Sequence, residues 1–344
     1  MNIPMRVALA LLLLAALATL QTTAPGPQWP GQKPEGFLLF NGWRLAPAGI
    51  QVPLPDTFPM ALVLHPGGRH LFILSAGYTL PSILILDPAQ PGREGGAVRL
   101  SLAHAWLGLA FNTDGDCFYV PEGASGSVRE FSYTEGEAPR GERGFKLFEG
   151  LINPQARGAA RWDPQHFLGD AAAHPGGKRL YAADLQAGVI HEVNLEKGVS
   201  ERQIQVGTHP YRILPSADGV RVYVSNWGSA SISVIEAASG ATRATYATGA
   251  HPSDMALDGR GRLYVACANT NAVWVHDALT GAVREQISVA LHPKSPPGST
   301  PNALALAPDG SRLYVANADN NAVAVVALGE NESRVEGFIP TGWY

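Results

Sequence analysis

The sequence predicts an all-β protein made of repeated antiparallel sheets, and three observations carry this prediction. First, residues 312–326 read RLYVANADNNAVAVV, a β-rich run, a polar turn and a second alternating run, as in a hairpin. Second, the pattern recurs at spacings of 47, 62, 42, 41 and 50 residues when it is aligned on its first aromatic residue. Third, no unit shows sustained 3.6-residue periodicity, which excludes the helical repeats of similar length. The aligned aromatic residues are Phe72, Tyr119, Tyr181, Tyr223, Tyr264 and Tyr314.

A repeat near 42 residues matches the roughly 40–50 residues that one four-stranded propeller blade requires. A sheet this small cannot bury both of its faces alone, so it needs neighbours of its own kind. We therefore predict a seven-bladed β-propeller of four-stranded antiparallel blades, with six complete units and a seventh that is incomplete in this chain.

The first 24 residues read as a secretory signal peptide. Arg6 supplies positive charge, residues 7–20 form an apolar core, and residues 22–24 (TTA) resemble a small-residue cleavage site. An uncleaved anchor is the alternative, although about 14 apolar residues are short for a spanning helix. The pattern predicts export to the periplasm or the outside of a bacterial cell, with no transmembrane span after removal of the signal.

The rest of the sequence divides into a lead-in, six repeat units and two insertions. Residues 25–35 are rich in Pro and Gly and are predicted to be a flexible lead-in, and two β-like runs follow at 36–40 and 50–54. A charged insertion is predicted at 136–165 and an exposed Pro-rich loop at 291–299. The six units span residues 60–87, 107–133, 169–195, 211–237, 253–278 and 302–328.

The last five residues, PTGWY, occupy the place that residues 207–211 and 249–253 hold before units four and five. Another unit would begin its first strand here. We therefore predict that the propeller runs from 36 to 344 and is truncated at its C-terminus, inside the seventh blade.

Composition excludes several functions. A net charge of −4 and a pI near 6.2 give no general attraction for nucleic acid. The chain has no Gly-x-Ser-x-Gly, His-Glu-x-x-His or phosphate-loop motif, and no Cys-x-x-Cys-His for haem. We therefore predict no catalytic residue, no metal site and no cofactor within this chain, and we interpret His65 and His174 as turn residues.

Alignment of the units gives the best candidate binding site. The second residue of each first strand is charged in three successive units, at Asp170, Arg212 and Asp254, and small in the others. First strands surround the central tunnel of a propeller, so these side chains, with Tyr211 and Asn302 beside them, are candidates for a ligand-binding tunnel mouth. The alternative is a structural chain of salt bridges between neighbouring blades.

The strand motifs YVSN at residues 223–226, YVAC at 264–267 and YVAN at 314–317 resemble the YVTN motif of the YncE-like bacterial surface β-propellers. The resemblance covers residues 37–344. It implies the fold strongly and the function only weakly.

A narrower likeness rests on NGWRLAPAG at residues 41–49, WLGLAF at 106–111 and residues 339–344. These resemble proteins in which a YncE-type propeller precedes an alkaline-phosphatase-like phosphoesterase domain. That catalytic, metal-binding domain would lie C-terminal to the propeller, so none of its residues can be assigned here.

These observations predict an exported, non-catalytic propeller that binds an unidentified ligand or protein partner, or that positions a fused phosphoesterase domain. The alternative is an enzyme, because propellers with similar repeats include lactonases. Such a lactonase-like hydrolase would use the acidic and basic groups at the tunnel mouth.

Overall fold

A computed structural model describes residues 29–342 except 35, 40–41, 53, 55–57, 78–79, 92–97, 149–164 and 293. The predicted signal peptide and the last two residues lie outside the described residues. The chain divides into two compact units, Met1–Ala46 with Trp343 and Pro47–Gly342 with Tyr344. Within the described part, no helix is long and apolar enough to span a membrane.

The described part of the first unit is a three-stranded antiparallel sheet in the order β1-β2-β3. Its strands are β1 (Gly31–Lys33), β2 (Gly36–Leu38) and β3 (Arg44–Leu45). Strand β1 falls in the segment that the sequence predicts to be a flexible lead-in. The β-like run predicted at residues 50–54 forms no strand at its described positions.

The second unit contains six four-stranded antiparallel sheets, numbered here as blades 1 to 6 in chain order. Blade 1 comprises β4 (Pro59–Leu64), β5 (Leu71–Ser75), β6 (Ser82–Leu86) and β7 (Val98–Ser101). Blade 2 comprises β8 (Ala110–Phe111), β9 (Cys117–Pro121), β10 (Ser127–Ser132) and β11 (Arg140–Lys146). Blade 3 comprises β12 (Leu168–Ala173), β13 (Arg179–Asp184), β14 (Val189–Asn194) and β15 (Val199–Gln205).

The last three blades repeat this arrangement, and each has a single-turn 3-10 helix between its second and third strands. Blade 4 comprises β16 (Pro210–Pro215), β17 (Arg221–Asn226), β18 (Ser231–Glu236) and β19 (Ala241–Ala247), with the helix Trp227–Ser229. Blade 5 comprises β20 (Pro252–Leu257), β21 (Arg262–Cys267), β22 (Ala272–Asp277) and β23 (Val283–Ser288), with the helix Ala268–Thr270. Blade 6 comprises β24 (Pro301–Leu306), β25 (Arg312–Asn317), β26 (Ala322–Ala327) and β27 (Arg334–Pro340), with the helix Ala318–Asn320.

The predicted all-β propeller of four-stranded antiparallel blades is confirmed. Each sheet follows chain order from its first strand to its fourth, and the first strands of blades 3 to 6 lie side by side at the inner edge. Six blades are present among the described residues. The incomplete seventh blade stays a prediction.

The predicted insertion at 136–165 is wrong for part of its length, because Arg140–Lys146 forms the outermost strand of blade 2. Of its seven residues only Phe145 is buried. A strand at the outer edge of a blade has little apolar surface to hide, so it lacks the alternation that reveals a half-buried strand. Residues 149–164 lie outside the described residues.

The hydrophobic cores lie between consecutive blades. The aligned aromatic residue of blades 1 to 5 is 0–3% exposed, and in each of these blades it joins a cluster that includes the following blade. Full burial of such a side chain stabilises the fold by roughly 1.5–3 kcal/mol. In blade 6 the equivalent Tyr314 is only partly buried, and in blade 1 Leu62 and Leu64 are exposed. These are the two blade faces against which the predicted seventh blade would pack.

His65 and His174 link neighbouring blades at the turns between first and second strands. The Nδ1 atom of His174 accepts a hydrogen bond from the Gly176 backbone at 2.9 Å, and its Nε2 lies 2.9 Å from the Gly219 carbonyl oxygen. His65 makes the same pair of contacts at 3.0 Å with Gly67 and Gly115. The interpretation of both histidines as turn residues is therefore confirmed.

Candidate functional site

Three charged side chains meet at the inner edge of blades 3, 4 and 5. Each first strand carries a β-bulge near its start, where its register shifts by one residue or more; the shifts lie between Leu168 and Ala171, between Pro210 and Arg212, and between Pro252 and Asp254. Bulges bend a strand and re-aim its side chains, and they are frequent beside functional sites. This shared irregularity places the charged residues at the end of the blades where the first strands begin, which we call the mouth face.

Asp170 is the anchor of the group and is fully buried. Its Oδ1 lies 3.3 Å from Nη1 of Arg212, and its Oδ2 accepts a hydrogen bond from the Ile213 backbone at 2.8 Å. Burial raises the pKa of the Asp170 carboxyl, and the Arg212 charge opposes that rise. A residue with no exposed surface cannot touch a ligand, so Asp170 acts through Arg212.

The position equivalent to Asp170 in blade 2 is Gly108, and the structure shows why it is glycine. A Cβ atom at Gly108 would lie 2.7 Å from both the Cα and the Oδ1 of Asp170. The small residue in one blade thus makes room for the buried carboxylate of the next.

Arg212 lies between two carboxylates and is 35% exposed. Its Nε is 3.1 Å from Oδ1 of Asp254, which is 14% exposed. The charge of Asp170, and after it that of Asp254, raises the pKa of Arg212, so the guanidinium is permanently charged. Nη2 of Arg212 has no hydrogen-bond partner among the described residues, so both of its N–H groups can donate to a ligand.

Both oxygens of Asp254 are already engaged. Oδ1 accepts a hydrogen bond from its own strand at the Met255 amide, 2.9 Å away, besides its contact with Arg212. Oδ2 accepts a hydrogen bond from the Leu304 amide of blade 6 at 2.8 Å. The chain of contacts therefore runs through four successive blades, and the two carboxylates hold the guanidinium in place.

The two flanking candidates differ in their placement. Burial raises the pKa of the Tyr211 hydroxyl, and the charges of Asp170 and Asp254 add to the rise, so Tyr211 lies within their electric field. Asn302 is exposed and lines a separate cavity of about 370 Å³ together with Phe58 and Asn317. The structure thus places Tyr211 with the charged group and Asn302 in different surroundings.

A second ionic cluster, which the sequence analysis did not predict, lies in blade 3. Asp184, fully buried, has its Oδ2 2.6 Å from Nδ1 of His166 and 3.7 Å from Nε2 of His191. Burial pushes the pKa of Asp184 upward, but the two imidazoles and the backbone amides of Phe167 and Ala187 hold it below its ordinary value.

This cluster has counterparts in other blades that argue for a structural role. In these blades the side chain of the last residue of the second strand makes a hydrogen bond to the segment that precedes the first strand of the same blade. Asp184 accepts from the Phe167 amide at 2.9 Å, and Asn226 accepts from the Gly207 amide at 3.1 Å. Asn317 makes the equivalent contact by donating a hydrogen bond to the Val289 carbonyl oxygen at 2.7 Å. We therefore infer that the Asp184 cluster stabilises the fold and is not a ligand-binding site.

The mouth face also contains a cavity of about 420 Å³ at blades 2 and 3, which the sequence analysis missed. Its walls include Trp106, Glu122 and Phe167, which come from three separate segments. The one signal in the sequence was their common position, because each lies just before a first strand or just after a second one. Within the described ranges, no three His, Cys, Asp or Glu side chains are arranged to hold a metal ion.

Comparison with known families gives a match to blades 3 to 6. Residues 170–338 match the family described as the SMP-30/gluconolactonase/LRE-like region, which is just under half of the 344 residues. The chain is a β-propeller similar to this family. No curated protein matches the sequence.

Solved structures share the fold at low identity. A chain of hydrazine synthase from Kuenenia stuttgartiensis has a TM-score of 0.65 and 17% identity, with 86% of this chain and 90% of that chain covered. The periplasmic gluconolactonase of Pseudomonas aeruginosa has a TM-score of 0.62 and 19% identity, with 83% and 86% covered. At such identities the likeness shows the fold alone, since one propeller fold supports many functions.

Proposed function

We propose that this chain is an exported ligand-binding propeller whose tunnel mouth presents Arg212 to a small polyhydroxylated molecule with a carbonyl or carboxylate group. The observation that carries the proposal is the state of Arg212: two carboxylates fix its guanidinium, one third of the side chain stays exposed, and Nη2 is unpartnered among the described residues. A preorganised guanidinium donates to a ligand oxygen with little further loss of side-chain freedom.

The charge of the site narrows the class of ligand. Two carboxylates and one guanidinium sum to one negative charge, which disfavours polyanions such as bisphosphates. A neutral lactone fits this balance, and a sugar acid with one carboxylate fits it only where that carboxylate pairs directly with Arg212. The similarity to the gluconolactonase-like family over residues 170–338 supports the same class.

Binding of D-gluconate, measured by titration calorimetry on the mature protein, tests the proposal. We expect saturable binding that is weakened at least tenfold by Arg212→Lys, which keeps the charge but loses the planar fork. The control is Arg243→Lys in the same blade, where the side chain is 61% exposed and pairs with Glu236. Gluconate binding that is absent, or that survives Arg212→Lys unchanged, would overturn the proposal.

A second candidate function is lactone hydrolysis, favoured by the family match. In this reaction water adds to the lactone carbonyl carbon, the ring C–O bond breaks, and the released alkoxide takes up a proton to give a hydroxy acid. Arg212 would donate a hydrogen bond to the carbonyl oxygen as negative charge develops there. Against this function, Asp170 is fully buried and cannot act as a general base toward a water molecule at the mouth. Asp254 is 14% exposed and already accepts from the Met255 and Leu304 amides besides its contact with Arg212, which leaves it about one further acceptor position.

The rate of acid release from D-glucono-1,5-lactone, followed at constant pH with and without divalent cation, separates the two functions. A hydrolase would exceed the spontaneous rate and lose that excess in Arg212→Lys but not in Arg243→Lys. Spontaneous rates throughout, with gluconate binding intact, would leave the binding function alone.

The YncE-like assignment, the fused phosphoesterase domain and the periplasmic or extracellular location remain predictions from the sequence. Export is part of our proposal because residues 1–24 have the pattern of a signal peptide. Fractionation of cells that express the full gene would test it, and retention of the chain in the cytoplasm would contradict it.

A further inference from the structure

The cavity of about 420 Å³ on the mouth face is large enough for a small ligand, since binding pockets typically measure about 300–1,000 Å³. None of Asp170, Arg212 and Asp254 lines it. Inferences about this cavity are therefore independent of the function proposed for the tunnel mouth. Its walls include Trp106, Phe167, Leu185, Glu122, His104 and Gln186.

Two aromatic rings form a corner of the cavity. The Trp106 and Phe167 rings are perpendicular, with centroids 5.7 Å apart, and Trp106 is 37% exposed. Gly123 allows this arrangement, because it has a φ of +59° and its added Cβ would lie 3.1 Å from Cζ of Phe167. The corner offers flat apolar faces, which bind the apolar face of a ring-shaped ligand.

A buried carboxylate supplies the strongest polar group of the cavity. Glu122 is 6% exposed, and Arg129 contacts both of its oxygens, with Nε 3.1 Å from Oε1 and Nη2 3.4 Å from Oε2. Ser125 donates a hydrogen bond to Oε2 at 3.4 Å. A carboxylate can accept about four hydrogen bonds, so acceptor capacity remains. Because Arg129 balances the charge of Glu122, the pair favours a neutral ligand with hydroxyl donors.

The His104 imidazole adds a second polar group at the cavity wall. It is partly exposed and has no hydrogen-bond partner among the described residues. A neutral imidazole offers one donor and one acceptor nitrogen. Hydroxyl groups can satisfy both nitrogens, because a hydroxyl both donates and accepts.

We propose that this cavity is a saccharide-binding site that takes one pyranose ring. The aromatic corner matches the apolar face of such a ring, while Glu122 and His104 match its hydroxyl edge. Because the charges of Glu122 and Arg129 balance, the site does not need a charged ligand. The charge of Glu122 is already neutralised by Arg129, which disfavours an organic cation, and a purely apolar molecule would leave the Glu122 acceptors unsatisfied.

Titration of the mature protein with methyl β-D-glucopyranoside, D-galactose and cellobiose, followed by calorimetry, tests the proposal. We expect at least one of these probes to bind saturably and Trp106→Ala to weaken that binding at least tenfold. The matched control is Trp227→Ala in blade 4, where the tryptophan has a similar exposure of 36%. Trp227→Ala and Arg212→Lys should leave saccharide binding within twofold of the wild type.

Glu122→Gln is a second variant that keeps the shape of the side chain and tests the polar edge separately. It should weaken saccharide binding at least threefold while the midpoint of thermal unfolding confirms a folded protein. Three results would overturn the proposal: no saturable binding of any of the three saccharides, equal losses in Trp106→Ala and Trp227→Ala, or tighter binding of benzyltrimethylammonium than of the saccharides. Loss of gluconate binding in Arg212→Lys with saccharide binding intact would show that the two sites are separate.

Discussion

The sharpest prediction concerns Asp170→Asn, which removes the negative charge from the centre of the tunnel-mouth group and keeps its shape. Breaking a buried ion pair by removing one partner costs about 3–5 kcal/mol. Here Arg212 keeps Asp254 and is 35% exposed, so we expect the loss from the pair to be about 2 kcal/mol. The hydrogen bond from Ile213 changes from a charged to a neutral acceptor, which costs about 1 kcal/mol more.

One effect opposes this loss. A fully buried carboxylate is itself costly to desolvate, and the raised pKa of Asp170 reflects that cost. An amide relieves part of it, so the net destabilisation we expect is about 2 kcal/mol. For a chain of this length, about 2 °C per kcal/mol gives a fall in the unfolding midpoint of about 4 °C.

Urea unfolding followed by tryptophan fluorescence gives the free energy of unfolding, with an unchanged m-value showing that the folded state is preserved. Asp309→Asn is the matched control, since Asp309 is exposed and also accepts a backbone hydrogen bond, from Ser311 at 2.9 Å. It should change stability by less than about 0.5 kcal/mol. If Asp170→Asn is no less stable than Asp309→Asn, our account of Asp170 as the anchor of the group is refuted.

A double-mutant cycle isolates the contact between Asp170 and Arg212. Asp170→Asn and Arg212→Gln should couple by about 1–2 kcal/mol, within the range found for residues in one ionic network. Additive effects would mean that the 3.3 Å contact contributes nothing to stability.

Two further predictions concern histidines. His174→Ala should lower the free energy of unfolding, measured in urea, by about 1–2 kcal/mol, because it removes the hydrogen bond to Gly176 and the contact with Gly219 of blade 4. Wild-type stability of this variant would contradict a stabilising role for His174. Burial lowers the pKa of His276, so the unfolded state binds the proton more readily and stability should fall as pH drops below about 6.5. His276→Gln should flatten that fall between pH 6.5 and 5, and an identical pH dependence would sink the prediction.

The blades could be predicted from the sequence because the second strand of each blade carries an aromatic residue at the same position of the repeat. The outermost strand of blade 2 could not, since Arg140–Lys146 carries three charged residues in its first four positions and buries only Phe145. Its place is set by pairing with β10 and not by its own apolar pattern. The residues of the first sheet, Gly31–Leu45, likewise form strands too short to leave a periodic signal.

The candidate sites could likewise be predicted from the sequence only in part. Asp170, Arg212 and Asp254 share one position in the repeat, so alignment of the units is enough to predict that they lie close together. The cavity at blades 2 and 3 draws Trp106 and Glu122 from two different positions of blade 2, and only the folded arrangement makes them neighbours. Alignment of repeats finds sites built from equivalent positions and misses those built from unlike ones.

The two interpretations that the sequence left open for the tunnel mouth are not exclusive, because different atoms serve each. The oxygens of Asp170 and Asp254 bridge blades 3 to 6 through Arg212 and the backbone amides of Ile213 and Leu304, so they belong to the structure. The series of charged residues ends at the next two blades, where the equivalent residues are Ala303 and Ala61. What is left over for a ligand is Nη2 of Arg212, a donor fixed in place by the structural contacts themselves. Arg212→Lys keeps the positive charge but removes this nitrogen together with the Nε and Nη1 contacts, so it should remove binding and also lower stability. Neutralising either aspartate should impair both as well.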